Sequence, residues 1–291
     1  MSETQTEAPP QESAQEDEIG KQLPKQPWSQ LAQEFAEVWG RLDPGHPTPE
    51  DVEVLGTKGS GKTLFMCKIV QERMIVRRTP TIIMQSKPAD ETVMRLGWPV
   101  ISDGNVQKAL RERWSIYWPQ TNATGQRRKL YQADSFMKLL DSLWHPDSNV
   151  VLVWDDVGYI ESLWTTDKQS LGDVMEMYLR EGRSSGITNV MLKQRPQGSR
   201  RVMHSETQWT IAFAPKDEDD RERFAQIFGN KKKYVEVFKN QMDPSHHDFL
   251  IKHFDTNILS AISSIKSVVY IVNSVFGLAI LISLNCLLIA L

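Results

Sequence analysis

The chain has 291 residues, 40% hydrophobic and 24% charged, with a formal net charge of −3. That usage excludes a wholly disordered or fibrous chain. The charge excludes a uniformly basic binder but leaves room for a local basic channel. Two cysteines, Cys67 and Cys286, exclude a disulfide framework and a cysteine-based metal cluster, and point to a reducing cytosolic setting.

Residues 1–26 carry six acids and two bases and almost no large apolar side chains. They cannot bury enough surface to offset ordering, so a disordered acidic tail is expected, and its polarity rules out a secretory signal. Residues 27–50 are expected to form one amphipathic helix over 28–41, with Trp28, Leu31, Phe35 and Trp39 at helical spacing, and then a linker. Residues 51–255 alternate short apolar runs with longer amphipathic ones. Strands are predicted over 52–55, 81–85, 99–102, 150–154, 187–193 and 209–214, with an edge strand over 249–252. Helices are predicted over 62–77, 106–114, 136–144, 171–181 and 219–228. Such alternation predicts an α/β domain, a mostly parallel sheet with helices on both faces. Residues 256–291 complete the chain as an amphipathic lead-in and an uncharged stretch.

Gly56-Thr57-Lys58-Gly59-Ser60-Gly61-Lys62-Thr63 matches the phosphate-binding loop at every position, between an apolar strand and a helix. Glycines let the backbone wrap a phosphate chain, and the helix start adds partial positive charge. Lys62 is assigned to the β- and γ-phosphates of ATP and the Thr63 hydroxyl to Mg2+. Lys58 reads as a solvated loop charge. The alternative for the whole motif is a chance glycine-rich turn.

Hydrolysis also needs an acid near the magnesium and a group for the attacking water. The apolar run 150–154 ends in Asp155-Asp156, and strand ends are where an α/β sheet presents ligands. Asp155 is expected to hold Mg2+ through its water shell, and Asp156 to orient or deprotonate the water. The alternative is a pair of helix-capping aspartates. About 90 residues and at least one strand separate the two motifs. This agrees with the additional-strand, RecA-like class, in which a strand lies between the phosphate-loop strand and the acidic strand.

The segment Gly182-Arg183-Ser184-Ser185-Gly186-Ile187 leads into a strand ending at Gln194-Arg195-Pro196. Gln194 at a strand tip could sense the γ-phosphate, or could simply satisfy a strand end. Arg180 or Arg183 could reach a neighbouring subunit's nucleotide, or could form a surface ion pair.

Together these residues make the chain resemble the FtsK–HerA superfamily of DNA-pumping P-loop ATPases over residues 51–255. The resemblance implies an ATP-hydrolysing motor acting on double-stranded DNA. It also implies self-association into a ring, usually a hexamer. Lys62, Thr63, Asp155, Asp156 and Gln194 would take the roles given above, with Arg183 the preferred trans-acting arginine. Asp156 stands where the family usually has Glu. Alternatives are a membrane-anchored assembly or secretion ATPase, similar to the zonula-occludens-toxin-like proteins of filamentous phages, and a slow nucleotide switch.

Three basic clusters are candidates for DNA-backbone contacts or plain solvated loops: Arg127-Arg128-Lys129, Arg195 with Arg200-Arg201, and Lys231-Lys232-Lys233. Residues 267–291 contain no charge and are long enough to cross a bilayer core of about 30 Å. A C-terminal hydrophobic helix serving as a membrane anchor on a cytoplasmic ATPase is therefore expected. A helix buried in a core is the alternative.

Overall fold

In the strands, consecutive apolar residues part to opposite faces of one sheet, as the two-residue period demands. Ile83 and Val153 join one core cluster, while Ile82, Met84, Leu152 and Trp154 join another. The computed structural model describes residue 23 and residues 25–39, 50–87, 90–194, 202–253 and 259–263.

The strands are β1 (Lys25–Pro27), β2 (Val52–Leu55), β3 (Thr81–Met84), β4 (Val100–Ile101), β5 (Trp114–Tyr117), β6 (Val151–Trp154), β7 (Thr188–Lys193), β8 (Trp209–Phe213), β9 (Phe249–His253) and β10 (Leu259–Ser263). The helices are α1 (Trp28–Trp39), α2 (Lys62–Arg77), α3 (Glu91–Met94), α4 (Val106–Arg111), α5 (Gly125–Leu143), α6 (Val157–Glu161), α7 (Leu171–Glu181), α8 (Val202–Ser205), α9 (Glu218–Ile227) and α10 (Lys231–Asn240). The sheet order is β1-β10-β9-β8-β2-β7-β6-β3-β5-β4. From β8 through β4 every neighbouring pair is parallel. β9 runs antiparallel to both β8 and β10. The expected mostly parallel α/β sheet is therefore present, and the strand between β2 and β6 is β7, whereas the 81–85 strand that separates the two motifs in sequence lies on the far side of β6 as β3.

The first core cluster packs α1 and α2 against the sheet through Trp28, Phe35, Phe65, Trp209 and Phe249. The second packs α5, α6 and α7 against the other face through Phe136, Leu140, Ile160, Met175 and Tyr178. A third joins α9 and α10 to the β8–β9 end through Phe224, Phe228 and Phe238. Arg73 locks α1 in place. Its guanidinium lies 4.5 Å over the Trp39 ring and donates to the Trp39 carbonyl and to Thr188 Oγ1.

Several expectations change. The helix expected over 106–114 ends at Arg111, because Trp114, Ser115, Ile116 and Tyr117 alternate toward the two faces and form β5 between β3 and β4. The helix expected over 136–144 starts at Gly125; its polar first turns hide the period. The strand expected at an edge over 249–252 is interior, because residues 259–263 of the expected lead-in form β10 and cover it. Lys25 and Gln26, grouped with the tail on composition, pair with β10 instead. Lys25 also donates to Asp248 Oδ2 at 2.6 Å. Lys231-Lys232-Lys233 forms the first turn of α10, and Arg127-Arg128-Lys129 lies near the start of α5. Among the described residues no helix is long and apolar enough to cross a membrane. The acidic stretch 1–22, the arginines Arg195, Arg200 and Arg201, and the uncharged run 267–291 lie outside the described residues.

Candidate nucleotide-binding site

The loop from Gly56 to Thr63 leaves the C-terminal end of β2 and enters α2 at Lys62. Two glycines meet real steric demands. A Cβ on Gly56 would come within 2.5 Å of Ser60 Oγ and 2.9 Å of Phe213 Cβ, and Gly61 adopts φ +104°. No side chain caps α2 at Gly61. The amides of its first turn therefore stay available to an anion at the positive end of the helix dipole. The turn before β9 supports the loop from outside, where His247 Nδ1 donates to the Ser60 carbonyl at 3.0 Å.

A cavity of about 580 Å³ opens over this loop, and Lys62, Thr63, Lys87, Asp155, Asp156 and Gln194 all contribute to its wall. Topology explains the convergence. β2, β7, β6 and β3 are consecutive in the sheet and parallel. Their C-terminal ends therefore deliver Lys62, Gln194, Asp155 and Lys87 to one rim. Gln194 directly follows the strand inserted between the phosphate loop and the acids.

Lys62 is buried, and its ammonium donates to the carbonyls of Gly56 and Thr57. Burial, with Lys87 adding repulsion, brings its pKa down to about 8 against the pull of Asp155 and Asp156. Asp155 is 3% exposed, and its Oδ2 has no hydrogen-bond partner. Burial raises its pKa to about 6. A buried, unpartnered carboxylate oxygen in a cavity wall fits a cation. Among the described residues no group of three or more His, Cys, Asp or Glu converges to hold a metal ion. Magnesium needs no such cage, since it is held by one or two carboxylates, water and substrate phosphates.

Asp156 takes a left-handed conformation at φ 64° where β6 turns into α6. Its Oδ2 accepts an ion-paired hydrogen bond from Lys87 Nζ at 2.9 Å. Burial opposes the charge of Lys87, yet Asp156, Asp155 and Asp90 hold its ammonium above the ordinary range. Lys87, Asp90 and His247 were not singled out in the sequence. The available signal for Lys87 was its place just past an apolar strand, at the same sheet rim as the two motifs. For His247 there was none, because its partner in the loop is 187 residues away.

Lys58 is exposed at the mouth of the cavity, as expected of a loop charge. Arg183 is exposed and sits in the 3-10 turn Gly182–Ser185 that precedes β7. It is thus at the opposite end of that strand from Gln194, where its charge acts on Glu50 and Asp51. The chain's own cavity does not include it. Arg180 pairs with Glu176 at 2.7 Å along α7.

Beneath the site, Glu53 of β2 is fully buried and binds Lys193 Nζ at 2.7 Å and His204 Nδ1 at 2.9 Å. Burial opposes its ionisation, but Lys193 and His204 outweigh it and hold the carboxyl below its usual value.

The fold recurs in solved structures. The genome-packaging NTPase B204 of Sulfolobus turreted icosahedral virus 2, solved with sulfate, superposes with a TM-score of 0.56 at 14% identity, over 74% of this chain and 97% of that one. The same protein with ATP-gammaS gives 0.54 at 14% identity, over 74% and 98%. The likeness is one of fold to these ATPases, consistent with the FtsK–HerA resemblance of the sequence. The cytoplasmic domain of the Thermomonospora curvata Type VII secretion ATPase EccC superposes at 0.50 with 15% identity, over 74% of this chain but 25% of that one. No protein-family model and no curated protein sequence matches the chain. At these identities the likeness to FtsK–HerA folds establishes architecture, and the chemistry must be argued from the residues themselves.

Proposed function

We propose that the chain is a magnesium-dependent ATPase that moves double-stranded DNA as a ring-forming motor. The observation that carries this reading is the meeting in one cavity of an uncapped helix start with Lys62 and Thr63, the unpartnered Asp155 and the strand-tip Gln194. That set can wrap a triphosphate, ligate a magnesium ion and reach the terminal phosphate. Thr63 and Asp155 would hold the ion, which supplies charge neutralisation at the β- and γ-phosphates. Asp156 would take the proton of the attacking water, and Gln194 would orient that water. Arg183, lying away from the chain's own cavity, can meet a nucleotide only in a neighbouring subunit. This favours an assembly in which each subunit completes the next. The B204 structures, one of them described as that of a DNA-packaging ATPase, support the choice of DNA as the moved polymer.

The test is ATP hydrolysis by a chain ending after Ser263, which keeps β10 in the sheet. Double-stranded DNA is expected to raise turnover several-fold, and Lys62→Ala to abolish nucleotide binding. Unchanged turnover with DNA across a range of salt would remove the motor reading. For residues 267–291 we propose a C-terminal membrane anchor with the ATPase on the cytoplasmic side. This rests on the uncharged 25-residue run alone. Membrane fractionation of the full and shortened chains tests it.

A further inference from the structure

Three lysines line the cavity: Lys58 at its mouth, Lys62 in the phosphate loop, and Lys87 beyond the end of β3. The first two belong to the loop. Lys87 comes from the other side of the acidic strand, since the sheet runs β2-β7-β6-β3. It reaches over the tip of β6 to Asp156 Oδ2 at 2.9 Å. It therefore stands on the wall facing the phosphate loop, next to the two acids.

That position raises a question of charge. A terminal phosphate seated between Lys62 and Asp155 comes close to both Asp155 and Asp156, and the cavity also contains Asp90. Carboxylates and a phosphate in one cavity repel unless cations divide them. A magnesium ion held by Thr63 and Asp155 would screen Asp155. The cation available to screen Asp156 is the one already bound to it. Lys87 is a compact point charge on a flexible stem with three donors, so it can hold a carboxylate and a phosphate oxygen together or move between them. Its side chain is 45% exposed, so it is not fixed by packing.

We propose that Lys87 is a second phosphate-reading lysine, which binds the terminal phosphate of a nucleoside triphosphate and shares itself with Asp156. Its ion-pair partner in the structure is Asp156. A triphosphate draws it off that carboxylate, so Asp156 becomes free to face the attacking water only when a γ-phosphate is present. A diphosphate does not extend to it. Lys62 serves any nucleotide, whereas Lys87 serves only the triphosphate. This inference rests on the nucleotide-binding reading of the cavity and adds the residue that distinguishes substrate from product.

Calorimetric titration of the full chain with ATP-gammaS and with ADP, both with magnesium, tests it. Lys87→Met is expected to weaken ATP-gammaS binding by about tenfold or more, the worth of a charge-assisted hydrogen bond. ADP binding should stay within about threefold, which also shows that the variant is folded. Lys87→Arg should restore most of the preference. Asp156→Asn removes the competing charge and should tighten ATP-gammaS binding more with Lys87 present than in the Lys87→Met background, a coupling that relief of charge repulsion alone would not give. Equal losses for both nucleotides, or no change in either, would overturn the assignment of Lys87. If the wild-type chain binds neither nucleotide, the nucleotide reading itself falls. If Lys62→Ala loses both nucleotides while Lys87→Met loses neither, that reading stands and the Lys87 assignment falls.

Discussion

Glu53 is buried three residues before the phosphate loop begins, paired with Lys193 and His204. Lys193 is next to Gln194, so this cluster joins the strand under the loop to the strand whose tip enters the cavity. Replacing Glu53 by Gln leaves Lys193 buried without a counter-charge. We expect a loss of about 3 kcal/mol in unfolding free energy, read from urea denaturation. Asp51, one turn of the pleat earlier, behaves differently. Burial raises its pKa to about 7, against the donated hydrogen bonds of Asn189 and the charges of Arg183 and Arg73. Between roughly pH 4 and pH 7 the folded chain keeps a proton that the unfolded chain releases. Stability should therefore fall as the pH rises through that window and level off above it. Asp51→Asn should remove this part of the slope, seen as a smaller drop in melting temperature from pH 5 to pH 8 than in the wild type.

At the scale of elements, α1 is part of the core. Trp28 is fully buried, 5.1 Å from the Phe65 ring and 5.9 Å from that of Phe249. Trp28→Ala should cost about 3–5 kcal/mol, measured by the shift of the denaturation midpoint. A Phe at this position should recover much of the loss. The helical period of Trp28, Leu31, Phe35 and Trp39 made this helix readable in advance. The phosphate loop and the Asp155-Asp156 pair were readable because their chemistry needs neighbours in sequence. β5 escaped because four residues seldom carry a decisive period and a helix runs up to them. β10 escaped because its apolar residues sit beside an uncharged run that overwhelms local pattern. Lys87 and His247 reach the site through tertiary contacts, with no local motif to mark them.

At the scale of the molecule, seven parallel strands bring four chain segments to one rim. The nucleotide site is thus assembled from residues spread between 56 and 194. Arg183 sits at the opposite rim, so one chain presents its phosphate loop on one side and its candidate trans-acting arginine on the other. The proposed ring would set one rim against the next, an arrangement in which Arg183 of one subunit faces the cavity of another. The far end of the sheet has its own logic. β1 and β10 lie side by side and parallel, Lys25 opposite Ala261 and Pro27 opposite Ser263. The chain enters the first at one end and leaves the second at the other. A pull between those two points would run along the strands and load their hydrogen bonds together in shear, without peeling them one at a time. The β1–β10 pair is therefore the part of the described sheet that would resist such a pull with its hydrogen bonds acting together.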